Sequence, residues 1–154
     1  MNITVTLNGV RRTAEVAPYT SLFDFLRANG CLSVKCGCET SNCGLCTVHL
    51  DGKPVLSCSV PAVRADGHAV TTLEGLQEEA ARFGAFLADE GAEQCGFCSP
   101  GFIMSVLAME KELTDPTDEE IRQYLAGNLC RCTGYQGQLR AIRKYLAERK
   151  AATR

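Results

Sequence analysis

The sequence predicts an α+β chain: a small mixed sheet crossed by one helix, then an all-helical unit. Three observations carry this reading. Over about the first seventy residues apolar and polar residues alternate, and Asn8-Gly9 and Asp51-Gly52 are strong hairpin turns. From about residue 77 the apolar residues recur at helical spacing behind capping signals. The cysteines divide the same way, one group up to Cys58 and another from Cys95. Composition shifts from alternating to helical between residues 73 and 80, so the domains are placed at 1–75 and 76–154.

In the first unit Ile3, Val5 and Leu7 alternate with Asn2, Thr4 and Thr6, which predicts a strand, and a return strand runs from Val10 to Val16. Pro18 breaks it. Thr20 or Ser21 caps a short helix with Leu22, Phe25 and Leu26 on its apolar face, ended by Gly30. A cysteine-rich loop follows. Thr47–Leu50 reads as a strand, Pro54–Ser59 as its hairpin partner and Ala69–Leu73 as a last strand. Periodicity does not give the strand order. In the second unit Ala80–Ala88 is helical. Ser99-Pro100 starts a helix that reaches Leu113, with proline in the first turn where no N–H is needed. Thr117 to Glu120 is a capping box for a helix ending near Gly127, and a final helix covers Gln138–Arg149 with a frayed tail behind it.

A chain of 154 residues with 45 % hydrophobic and 22 % charged residues fits one or two soluble globular domains. No apolar run reaches membrane-spanning length. A net charge of −2 gives no electrostatic case for nucleic acid. Met1–Leu7 reads as a strand rather than a targeting signal, so the expected compartment is the cytoplasm, where thiols stay reduced and free to bind metal. Ten cysteines against two histidines point to thiolate ligation. Domains this small have thin cores, and a bound metal centre in each would help to hold them.

Four of the ten cysteines fall between residues 36 and 46. Cys38, Cys43 and Cys46 give the spacing C-x4-C-x2-C, and Cys58 follows as a distant fourth ligand. This is the pattern of a plant-type 2Fe-2S cluster, in which two irons take four outer thiolates. Gly37 and Gly44 let the backbone bend close around it. Structural zinc is the competing reading, since Cys43 and Cys46 form a C-x2-C pair. Zinc sites more often use two spaced pairs. The helical unit has its own set, Cys95-x2-Cys98 before a helix and Cys130-x-Cys132 between two later helices. The two pairs can converge at one end of a four-helix bundle. Alone, they fit a four-cysteine zinc site or a second cluster.

Together, these motifs resemble the small iron–sulfur subunit of the molybdenum hydroxylase family, which includes xanthine dehydrogenase. The resemblance rests on Gly37-Cys38, Cys43-Gly44-Leu45-Cys46-Thr47-Val48, Asp51 to Val55, Ser57-Cys58, Gln94 to Gly101 and Gly127 to Tyr135. It extends from near residue 3 to near residue 146. It implies a ferredoxin-like β-grasp domain with a plant-type cluster on Cys38, Cys43, Cys46 and Cys58. It further implies a four-helix-bundle domain with a 2Fe-2S cluster on Cys95, Cys98, Cys130 and Cys132. Gln94 and Cys132 would lie near the molybdopterin of a large partner subunit. Electrons from substrate oxidation there would pass through the helical-domain cluster, then the ferredoxin-like cluster, then FAD on a flavin subunit. The implied assembly is a heteromer, which symmetry could double to a dimer of heterotrimers. The chain has no dinucleotide fingerprint and no acid–base constellation of its own. A free-standing two-cluster ferredoxin-like carrier is the alternative, and it would call for a strongly charged docking face.

Several residues fall outside these roles. Cys31 and Cys36 read as small hydrophobes or incidental thiols. Ser41 stands where the family commonly has glycine, so Ser41 or Asn42 must tolerate a positive φ if the loop needs one. His49 and His68 read as strand or surface residues, and Met104 and Met109 as helix-face residues. Arg140, Arg143, Lys144, Arg149 and Lys150 read as a solvated helix face.

Overall fold

The computed structural model describes residues 1–152, and among them five strands and five α-helices form. The alternation at the start becomes β1, Asn2–Leu7, with Ile3, Val5 and Leu7 buried on one face. Asn8 and Gly9 both take positive φ, 50° and 80°, as a type I′ turn requires. They return the chain into β2, Val10–Glu15. This edge strand is almost wholly exposed, and Arg11 and Arg12 discourage it from pairing with another chain. Ser21 caps α1, Leu22–Ala28; its Oγ accepts the Asp24 N–H at 3.0 Å. Leu22, Phe25 and Leu26 pack under the sheet with Val34, Val48 and Val70. With β3, Thr47–Leu50, β4, Lys53–Leu56, and β5, Ala69–Thr71, the strand order is β2-β1-β5-β3-β4. Only the β1–β5 pairing is parallel among the described residues.

Two expected strands end early, each for a hydrogen-bonding reason. Pro54–Ser59 is β4 only as far as Leu56, and Ser57–Ser59 is a 3₁₀ turn. The Ser57 N–H and Oγ–H both donate to the Cys46 carbonyl, at 3.2 and 2.8 Å, which bends the chain out of the ladder. Ala69–Leu73 stops at Thr71. The Thr72 N–H goes to the Asn8 side-chain oxygen at 2.8 Å, and Thr72 Oγ1 donates to Glu74 at 2.5 Å.

The second half contains α2, Gln77–Asp89, α3, Ser99–Glu112, α4, Asp118–Tyr124, and α5, Gln136–Ala152. Helix α2 begins ahead of the expected Ala80, since the Leu76 carbonyl takes the Ala80 N–H at 2.8 Å and Glu78 and Glu79 suit a positive helix start. The capping box of α4 forms: the Thr117 N–H donates to Glu120 at 2.7 Å and the Glu120 N–H to Thr117 Oγ1 at 3.3 Å. Helix α5 begins before the expected Gln138 and runs past Arg149, so Lys150–Ala152 are helical, not frayed. Thr153 and Arg154 lie outside the described residues. The core here is Phe83, Leu87, Phe102, Val106, Ile121, Ile142 and Tyr145, with Tyr145 edge-on to Phe83 at 5.1 Å.

The basic run on α5 is a solvated face, as expected, and its side chains also form ion pairs. Arg140 and Lys144 both pair with Glu90, Arg143 with Asp118, Arg149 with Glu110 and Lys150 with Asp115. These contacts tie α5 to the end of α2, to α3, to the start of α4 and to the segment before it.

Helix α3 joins the two halves. Residues Gly101 to Met109 are all buried, because one side faces the helical core and another faces β3. His49, 2 % exposed, donates from Nε2 to the Met104 carbonyl at 2.8 Å. Met104 and Met109 are themselves buried. His68 is exposed and bonds Asp51 at 2.6 Å.

Candidate metal centres

The loop between α1 and β3 places Cys38, Cys43 and Cys46, and the 3₁₀ turn after β4 places Cys58. That turn interrupts the strand where Cys58 must face Cys46: their sulfurs are 3.3 Å apart. Cys38 and Cys43 form the other hydrogen-bonded thiol pair. The backbone N–H groups of Asn42 and Thr40, with the Cys43 thiol, surround the Cys38 sulfur and hold its thiol down at about 6. Burial pushes Cys46 up to about 11.

The second set forms where the loop before α3 meets the loop between α4 and α5. Cys132 lies 3.6 Å from Cys95, and Cys98 contacts Cys130. Burial, then the Cys130 thiol, pushes Cys98 up to about 12. Thr133 Oγ1 lies 3.2 Å from the Cys130 sulfur, and the Cys130 N–H donates to the Tyr135 hydroxyl at 2.9 Å. Gln94 is exposed, and its Nε2 donates to the Cys132 carbonyl at 3.1 Å.

In both sets the sulfurs pair two and two. Among the described residues, no three His, Cys, Asp or Glu side chains converge as a single ion would require. For metal–sulfur bonds of about 2.3 Å in tetrahedral geometry, two thiolates on one metal stand about 3.8 Å apart. Pairs at 3.3 and 3.6 Å are near that separation, so the two thiols of each pair could share one metal. The donor chemistry fits too: four thiolates per set are what a 2Fe-2S cluster takes.

Between the sets the two halves touch through backbone. The Leu129 N–H donates to the Cys43 carbonyl at 2.9 Å. Asn128 Nδ2 reaches the carbonyls of Gly44 at 3.5 Å and Gly101 at 3.4 Å. Gly44 has φ of 75°, and a Cβ there would stand 2.5 Å from the Gly127 carbonyl oxygen. Gly37 has no such φ; its Cβ would meet Leu45 at 2.7 Å. So Gly44 serves the contact between halves as well as the loop. Asn128, Ser57 and Thr133 fall inside the motifs that carry the family resemblance, but no periodicity or ligand spacing marks a role for them.

Ser41 takes φ of 57°, the conformation its place in the loop raised. Cys31 is buried beside Asn8, and Cys36 is exposed, its thiol donating to the Cys38 carbonyl at 3.1 Å. No described helix is long and apolar enough to cross a membrane.

Comparisons with known proteins agree with this geometry. The 2Fe-2S iron-sulfur cluster binding domain family matches residues 5–88, and a second 2Fe-2S binding domain family matches residues 72–143. A probable xanthine dehydrogenase subunit of Bacillus subtilis (strain 168) is 44 % identical over 140 residues, covering 89 % of this chain and 80 % of the relative. The nicotinate dehydrogenase small FeS subunit of Eubacterium barkeri is 42 % identical over 154 residues, 98 % of each chain. The crystal structure of quinoline 2-oxidoreductase from Pseudomonas putida 86 contains a chain that superposes with a TM-score of 0.89 at 37 % identity, covering 99 % of this chain and 96 % of that one. Fold and matches define a protein with two 2Fe-2S-binding domains, the first on a ferredoxin-like sheet and the second helical. The chain belongs to the family of small iron–sulfur subunits of xanthine dehydrogenase-type molybdenum hydroxylases.

Proposed function

We propose that this chain carries electrons within a heteromeric molybdenum hydroxylase. It would hold one 2Fe-2S cluster on Cys38, Cys43, Cys46 and Cys58 and another on Cys95, Cys98, Cys130 and Cys132. When bound, the clusters supply one-electron transfer, with about −400 mV as the general expectation for the plant-type one. The Cys43–Leu129 hydrogen bond carries the reading. Leu129 precedes Cys130, so only peptide groups and one hydrogen bond separate a thiol of the first set from a thiol of the second. At the far end, Gln94 holds the exposed Cys132 by its carbonyl. This supports the molybdopterin-facing role that the family resemblance implies for both residues. The path then runs from a molybdopterin-binding large subunit, through the helical site and the sheet site, to FAD on a flavin subunit. Domains 1–75 and 76–154 each hold one site.

Relatives named for xanthine, nicotinate and quinoline resemble this chain about equally, at 44, 42 and 37 % identity. Substrate choice therefore belongs to the large subunit.

Metal counting on the anaerobically purified full chain tests the assignment. About four irons per chain and no zinc are expected, with Cys43→Ser and Cys130→Ser each keeping about two. About two irons with zinc in the other site would overturn it. Affinity purification from the native cell should bring down a molybdenum-containing and a flavin-containing subunit; a chain isolated alone would favour the free-standing carrier.

A further inference from the structure

Resting on that reading of the first site, we propose that Ser41 and Ser59 tune its reduction potential by donating hydroxyl hydrogen bonds to the Cys58 sulfur. Ser41 is a non-glycine residue in the left-handed region, at φ of 57°. That turn has two results. The next residue, Asn42, aims its N–H at Cys38. The Ser41 Oγ comes to 3.6 Å from the Cys58 sulfur. Ser59 Oγ, from the adjoining 3₁₀ turn, stands at 3.6 Å from the same atom.

A ligating cysteine has lost its proton. Both hydroxyls must then be the donors, and the sulfur the acceptor. Reduction adds negative charge to the sulfurs, so a donor aimed at them favours the reduced form and raises the potential. The set is asymmetric. Cys38 is surrounded by backbone amides, which side-chain substitution leaves in place, whereas Cys58 is served by two side-chain hydroxyls. Those two serines are therefore positioning residues through which sequence can set the first site's potential independently of the second. The effect makes the first site a better acceptor from its neighbour.

Redox titration of the full chain, followed by electron paramagnetic resonance, tests this. Cys43→Ser identifies the first site's signal. Ser41→Gly removes a hydroxyl while keeping a residue that tolerates the loop's φ; Ser59→Ala removes the other at an ordinary backbone. Each is expected to shift the electron partition between the two sites about five-fold toward the second, the size of one ordinary hydrogen bond. A five-fold shift is about 41 mV for a one-electron couple, at about 59 mV per ten-fold. The double variant should shift further, and Ser59→Thr, which keeps a hydroxyl, should behave as wild type. Unchanged midpoints in Ser41→Gly and Ser59→Ala, equal movement of both sites, or a Ser59→Thr shift as large as that of Ser59→Ala would each overturn the inference. A wild-type chain without two 2Fe-2S signals would instead overturn the function it rests on.

Discussion

Gly44 carries two separate constraints, a left-handed backbone and a Cβ position occupied by the Gly127 carbonyl. Gly67 shares the first, at φ of 77°, but has open space around it. The pair separates strain from packing. Gly67→Ala should cost about 1 kcal/mol in urea unfolding, and Gly44→Ala roughly 3 kcal/mol, since the halves must also move apart. Equal costs would show that Gly44 matters only for its φ. At this scale the grouping of cysteines into two sets was legible, because their spacing is a local property of the sequence. Their pairing was not, since four cysteines allow three pairings. Cys46 meets Cys58 only because Ser57 bends the chain onto the Cys46 carbonyl.

The elements followed local rules wherever a local rule decided them. The Asn8-Gly9 turn, the Ser21 cap and the Thr117 capping box are each set within a few residues. Thr117→Ala should cost about 1 kcal/mol by thermal or urea unfolding, and an unchanged midpoint would mean that α5 alone holds α4 in place. The ends of β4 and β5 were misread because distant groups fix them: the Cys46 carbonyl for one, the Asn8 side chain for the other. The basic stripe on α5 is exposed, as its pattern suggested; its ion pairs were not legible, since the acidic partners lie on other elements.

For the whole molecule, the seam between halves holds the loops that carry the two thiol sets against one another. It depends on β3, α3 and the Gly127–Leu129 turn, which meet only in the fold. No periodicity marks His49 as buried against Met104. Burial holds the His49 pKa below its usual value, helped by Lys111 and opposed by the Met104 carbonyl bond and by Glu112. The folded chain thus keeps the ring neutral while the unfolded chain protonates it near pH 6.5. Stability from this group is whole above that pH and falls as the pH drops below it. Unfolding followed from pH 7.5 to 5 should show that loss, and His49→Gln should flatten it; an identical slope in the variant would place the acid sensitivity elsewhere.

The central claim is that two clusters lie in one chain, joined through the Cys43–Leu129 contact. Low-temperature electron paramagnetic resonance of the dithionite-reduced full chain tests it most directly. Two 2Fe-2S signals are expected, each split by the other's spin, with the splitting lost in Cys130→Ser. A single signal, or two that take no notice of one another, would contradict the account.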